Sequence, residues 1–338
     1  MKRYLTYDDV NIVPKYSELE SRSDVDLTAR LTKNIELEIP IVSSPMDTVT
    51  GFEMAWAISH LGGIGFIHRF MEIERQSELV ASLGNLKVGA AVGVTGDYLE
   101  RAKELVLNGC NVILIDVAHG HHKLVKKAVE EFRNEFGRNV EIIGGCIATK
   151  EATKDLCEWG VDGLRVGVGN GSLCETRIRT GVGLPQVTAL LDVCSIADGY
   201  GVPVIADGGI RNVGDVCKGL GCGADTIMVG SLLSGTKESP GSIEKKGQWP
   251  NEQLFKKYRG SASLDSKLDR GEDKNVEGNH KVIPYKGKVK RIIGDIEDGI
   301  RSSCSYVGAS SLEEFRSLVE FVEVTRAGQV EAQPYLLN

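Results

Sequence analysis

The segment Gly167-Val-Gly-Asn-Gly-Ser-Leu-Cys174-Glu-Thr-Arg177 is the strongest chemical signal in this chain of 338 residues. Three glycines in five residues leave backbone amides and carbonyls uncovered, so the loop can hold an anion or a monovalent cation. Cys174 ends the run. Cysteine attacks as its thiolate, and Arg177 with a nearby helix start would favour that form. The same cysteine would be inert if buried in a turn. The loop alone does not choose between a nucleophile and a packing thiol.

Two further glycine turns can cradle an anion. Ala206-Asp-Gly-Gly209 and Gly230-Ser231 offer the amides of Gly209, Gly230 and Ser231 and the Ser231 hydroxyl, the kind of donors that bind phosphate. Ordinary turns between elements would look the same. Asp207 repels phosphate, but its carboxylate accepts two hydrogen bonds and suits the hydroxyls of a ribose. Asp116-Val-Ala-His119-Gly-His-His122 gathers three histidines without a convergent carboxylate to complete a metal site. His121 and His122 read better as surface residues at a helix start, and Asp116 as the functional group. The eight cysteines, at 110, 146, 157, 174, 194, 217, 222 and 304, form no Cys-x-x-Cys pair, so free thiols in a reducing cytoplasm are expected.

These groups need a scaffold. Short apolar runs fall at residues 39–42, 63–67, 88–92, 112–115, 141–143, 163–166, 202–205 and 226–229. Between them, 53–61, 72–83, 97–107, 122–136, 150–159, 186–200 and 213–220 carry helical patterns. Strands joined through helices lie parallel. Eight such units predict an α/β fold closed into a (β/α)₈ barrel. A doubly wound open sheet is the alternative, but polar, glycine-rich segments follow nearly every strand rather than one switch point. In a barrel the strand C-terminal ends carry the site, and the last loops hold phosphate. The glycine loop then follows strand six, and the two glycine turns follow strands seven and eight.

From about 236 to 281 the pattern breaks into a charged stretch containing DSKLDRGEDKN. A loop of this length after strand eight predicts a mobile flap over the active face, although a solvated charge run would read alike. A helix at 289–301 and a strand-like piece at 321–325 follow, within a single domain spanning 1–338. A net charge of −7 argues against non-specific nucleic-acid or membrane-surface binding. The N-terminus has two basic residues with no apolar run behind them, so no secretory signal is read there.

The segments TYDDVNIVP, SRSDVDLT, PIVSSPMDTVT, GGIGFIHR, IDVAHGH, LRVGVGNGSLCETR, TGVGLPQ, IADGGIR, MVGSLLSGT, YRG and IRSSCSYVGA resemble the IMP dehydrogenase and GMP reductase family over nearly the whole chain. The resemblance implies a (β/α)₈ barrel, usually a homotetramer, acting on a purine nucleoside monophosphate through a covalent purine–cysteine adduct. It makes Cys174 the nucleophile and Thr176 and Glu277 the proton-handling pair. By position it assigns Ser172, Asp207, Gly208, Gly209, Gly230, Ser231, Tyr258 and Gly260 to the nucleotide. The carbonyls of Gly169, Gly171 and Cys174 fall to a potassium ion. Asp116, Val117 and Ala118 fall to the nicotinamide cofactor, with Arg22, Arg69 and Lys274 as partners for a cofactor 2′-phosphate. The paired CBS modules common in the family are absent.

The family has two branches. IMP dehydrogenase must activate a water, in the family through an Arg-Tyr pair in the flap. Between Tyr258 and Pro284 there is no such pair, and Arg270 lies in Asp-Arg-Gly as a displaced substitute. GMP reductase needs no such base. The expectation is therefore an NADPH-dependent GMP reductase, with an NAD-dependent IMP dehydrogenase as the alternative. Two departures bear on both. Glu175 replaces a small residue beside the cysteine and would raise the thiol pKa if it faced inward. Ser261-Ala262 replaces a Met-Gly pair near the base, which leaves room for a modified or deoxy purine.

Overall fold

The computed structural model describes residues 2–248 and 250–333. Eight parallel strands close into a barrel in chain order. They are β1 (Ile41–Ser43), β2 (Ile64–Ile67), β3 (Val88–Val92), β4 (Val112–Ile115), β5 (Glu141–Ile147), β6 (Gly163–Val166), β7 (Val204–Asp207) and β8 (Thr226–Val229). β8 returns beside β1, with Met228 opposite Val42. Every residue of β3 and β4 is buried. Covered on both faces, such strands read as unbroken apolar runs rather than alternation.

The surrounding helices show why each forms where it does. In the helix Lys123–Phe136, Val125, Ala128, Val129 and Phe132 make one buried stripe while lysines and glutamates face out. His122 caps its first turn, and Gly137 ends it with a positive φ. Inside the barrel, Val42, Ile64, Phe66, Val112, Leu114, Ile143, Ile205 and Met228 form the inner core. Leu31 and Leu37, from a hairpin pairing Ala29–Arg30 with Glu36–Leu37, join that core and close the end opposite the site.

The main departures from expectation lie at the functional end. β7 runs to Asp207 rather than stopping at 205, so the aspartate itself ends the strand. A short helix, Thr176–Thr180, follows the cysteine. The expected flap is not structureless. Glu244–Lys246 (β9), Gln253–Arg259 (β10) and His280–Pro284 (β11) form an antiparallel sheet, with a helical turn Leu264–Leu268 before β11. The strand-like C-terminal piece is Phe321–Glu323, paired antiparallel with Val10–Ile12. Among the described residues no helix is long and apolar enough to cross a membrane.

Candidate functional site

At the end of β6 the chain must turn sharply beneath β7. Gly167 has φ +152°, and a Cβ there would lie 1.9 Å from the Asp207 carbonyl oxygen. Gly169 has φ +77°, with Arg177 packed where a side chain would go. The Arg177 guanidinium donates to the Asn170 side chain and to the Leu184 carbonyl, stapling the loop. Burial lowers the Arg177 pKa, and attraction to Cys174 opposes that shift.

Cys174 is half-buried, while the other seven cysteines are buried. Burial pushes the thiols of Cys110, Cys146, Cys222 and Cys304 up to about 12. Those are inert packing residues. The Cys174 Sγ–H donates to Thr176 Oγ1 at 3.2 Å, and that hydroxyl donates to Glu277 Oε2 at 2.7 Å. A thiol, a hydroxyl and a carboxylate thus form a continuous path along which a proton can leave the sulfur. The path spans two elements, because Glu277 belongs to the flap. The flap is laced to the loop by Glu175 N–H to Glu277 carbonyl at 2.7 Å and Asn279 N–H to Leu173 carbonyl at 3.0 Å. Glu175 turns outward, held by Arg179 at 2.9 Å and Asn279 at 3.3 Å. Its charge is committed there rather than aimed at the thiol.

Around this centre lies a cleft of about 360 Å³ at the strand C-terminal ends, within the usual range of small-molecule sites. Ser172, Asp207, Gly208, Tyr258 and Gly260 line it. Ser172 and Tyr258 share a hydrogen bond of 2.9 Å, and Tyr258 is buried. Gly230 adjoins the Tyr258 hydroxyl, Met46 and Ser44. Among the described residues, the amides of Gly230 and Ser231 have no backbone partner. Gly209 differs from expectation: its N–H is already donated to the Asn170 carbonyl at 2.9 Å, so it shapes the loop instead of waiting for an anion. The Ser231 hydroxyl donates to the Ile210 carbonyl at 3.2 Å. Lys286 grips the Ser231 and Leu232 carbonyls at 2.7 and 3.1 Å.

Sequence reasoning missed Arg165. It is buried in β6, donating to Asp207 at 2.8 Å and to Asp116 at 2.7 Å. Its single positive charge is shared between the two carboxylates, and it ties the β4 end to the β7 end. An arginine inside an otherwise apolar strand was the available signal. Gln186 was missed too. Its amide donates to the Val166 and Asp207 carbonyls and accepts from Asn170.

The lining also includes Asp116, Val117, Ala118, Arg69 and Phe70, with Lys267, Arg270 and Glu272 contributed by the flap. Arg69 pairs loosely with Asp116 at 3.7 Å. These apolar and cationic groups fit a nicotinamide dinucleotide. Arg22 and Lys274 lie outside the cleft lining. Arg22 donates to Ser302 at 3.0 Å and sits over the Tyr306 ring, and Lys274 is exposed in the flap. Of the loop carbonyls expected to hold potassium, Gly171 accepts the Cys174 N–H, whereas those of Gly169 and Cys174 accept no backbone bond among the described residues. Such a carbonyl set suits a monovalent cation. No cluster of three or more His, Cys, Asp or Glu side chains able to hold a metal occurs among the described residues.

Comparison with known proteins bears on this arrangement. The IMP dehydrogenase / GMP reductase domain matches residues 4–335. Inosine-5′-monophosphate dehydrogenase of Cryptosporidium parvum is 38% identical, over 97% of this chain and 94% of that protein. The enzyme of the same name from Nitrosopumilus maritimus is 33% identical over 99% of this chain and 98% of its own. That from Escherichia coli K12 is 32% identical over 98% and 95%. The Nitrosopumilus alignment runs over 473 positions, so that relative has residues with no counterpart among the 338 here. A closed eight-stranded barrel, a half-buried cysteine at the mouth of strand six and a match along the whole chain agree: the protein belongs to the IMP dehydrogenase / GMP reductase family.

Proposed function

We propose that this chain oxidises IMP to XMP with NAD⁺ and water, the IMP dehydrogenase reaction. One observation carries the reading: Arg270 lines the same cleft as Cys174. The sequence argued against a dehydrogenase because Arg270 lacks its tyrosine neighbour and reads as displaced. In the fold its guanidinium is held by Ser266 Oγ at 3.0 Å and the Ser261 carbonyl at 3.1 Å. Burial lowers its pKa; Glu272 opposes that shift and Arg69 reinforces it. An arginine so disposed is a candidate to take a proton from water. The names of the curated relatives point the same way.

The chemistry follows from the groups present. Cys174 adds through sulfur to C2 of the purine, and its proton passes through Thr176 to Glu277. NAD⁺, when bound, accepts the hydride that leaves C2. Arg270, once it has released a proton to solvent and stands as the neutral guanidine that burial favours, takes a proton from water as the oxygen bonds to C2. The C2–sulfur bond breaks and Cys174 leaves as thiolate. The products are XMP, NADH and one proton. Asp207, paired with Arg165, would hold the ribose, and the Gly230 and Ser231 amides the phosphate. The carbonyls of Gly169, Gly171 and Cys174 would hold potassium and steady the loop. The family likeness extends the proposal to a homotetramer.

GMP reductase remains the second reading, favoured by the Cys174–Thr176–Glu277 path, which could also hand a proton to departing ammonia. The test is a paired assay. IMP with NAD⁺ should give XMP and NADH in equal amounts, and R270A should keep a single-turnover burst of NADH while losing steady XMP formation by about 10²-fold or more. Ammonia release from GMP and NADPH, faster than XMP formation from IMP and NAD⁺, would overturn the assignment.

A further inference from the structure

The hydrogen bonds and ion pair that hold Arg270 all come from the flap: Ser261, Ser266 and Glu272. The flap is the charged excursion between β8 and the last long helix, so these bonds alone would leave the guanidinium free to move with it. A further contact belongs to the barrel. The Arg270 guanidinium carbon lies 4.3 Å from the centre of the Phe70 ring. Arg69 lies 5.1 Å from the same ring. Phe70 is itself fixed from below. Its N–H donates to His68 Nδ1 at 3.2 Å, and the two rings stack with centroids 6.0 Å apart. His68 is buried. The residue after Arg270 is Gly271, which has no side chain to pack beside the guanidinium.

We propose that Phe70 is the positioning residue for Arg270: an aromatic plate on the barrel that docks the flap arginine in the cleft that holds Cys174. A ring face attracts a guanidinium, and the attraction grows when water is excluded. Phe70 thereby supplies from the barrel an aromatic neighbour that the flap itself lacks at Gly271. The inference rests on the reading of Arg270 as the group that activates water. It implies that Phe70 matters for the hydrolytic half of the reaction and not for hydride transfer, although it stands on the cofactor side of the cleft.

The experiment uses F70A, F70L and F70Y in the full-length protein. With IMP and NAD⁺, F70A should lower kcat about tenfold, the scale of a desolvated cation–ring contact. The burst of NADH and the KM for IMP should stay within about twofold. F70Y should restore kcat, because it keeps the ring face. F70L fills the space without a π face and should behave like F70A. Amide hydrogen exchange over residues 261–272 reads the contact without any turnover, and should speed up in F70A. Equal losses of burst and steady rate would show that Phe70 serves the cofactor. A fully active F70L would reduce the role to packing. Either result, or unchanged exchange in F70A, overturns the proposal. If wild-type protein gives no burst with IMP while F70A still loosens the flap, the dehydrogenase reading fails and the docking contact stands.

Discussion

His68 sits one residue beyond β2, and burial pushes its pKa down to about 4. Asp47 and Asp116 pull it upward and Arg259 downward, but burial dominates. The neutral imidazole accepts the Phe70 N–H. The unfolded chain takes up this proton near pH 6.5. The folded protein resists until about 4. Above pH 6.5 neither state binds the proton and stability is unaffected. As pH falls from 6.5 toward 4, the unfolded state gains protons first, and stability should drop by about 3 kcal/mol. H68Q keeps an acceptor without the titration. Its urea midpoint should fall less than that of wild type between pH 7 and pH 4; parallel losses would remove His68 from the account. The signal for this residue was faint, since a histidine after a strand looks like any polar loop residue. Cys174, Thr176 and Glu277 were more legible, because glycine spacing and family motifs marked them. Arg165 was not, because it hides within a strand that otherwise reads as core.

At the scale of elements, the flap was the least legible part, and Lys256 shows why. In β10 the buried positions alternate at Lys256 and Tyr258. A lysine on the inward face spoils the apolar alternation by which a strand is recognised. It can be buried because its ammonium donates to the carbonyls of Thr236, at 3.1 Å, and Ser239. Burial lowers its pKa, with Glu238 and Glu53 opposing. This lysine pins the sheet of β9, β10 and β11 to the chain leaving β8. K256M should leave the Ser239 carbonyl without its donor, while the Thr236 carbonyl keeps the Ser239 hydroxyl at 2.9 Å, at about 1–3 kcal/mol. The loss should fall on the flap first. Limited proteolysis should cut K256M between 240 and 284 at least about fivefold faster than wild type, on the scale of 1 kcal/mol of local opening. An unchanged cleavage rate there would mean that the flap is held by its sheet bonds alone.

The barrel was readable as a whole because eight apolar runs alternate with helical patterns, and strands covered on both faces show little else. Pattern also put the loops after strands six, seven and eight on one face, but not which of their side chains meet. Ser44 and Met46 come from the end of β1, Ser172 and Cys174 from the loop after β6, Asp207 and Gly208 from β7, and Tyr258 and Glu277 from the flap. Together these residues span more than two hundred positions of chain, from Ser44 to Glu277, and only closure of the ring brings them together. A nucleotide in this cleft therefore bridges pieces of chain that unfolding must separate. At a concentration one hundred times its dissociation constant, a ligand bound only to the folded state adds about 2.7 kcal/mol. A chain of 338 residues has an unfolding entropy near 0.7 kcal/mol per degree, so Tm should rise by about 4 °C. IMP should produce this shift in wild type and in C174A, because that substitution removes the attacking sulfur and leaves the binding contacts in place. S231E sets a carboxylate among the amides expected to hold phosphate, so it should abolish most of the shift. Inosine, without the phosphate, should give wild type and S231E the same small rise. An S231E protein that still gained about 4 °C with IMP would put the phosphate elsewhere on the barrel.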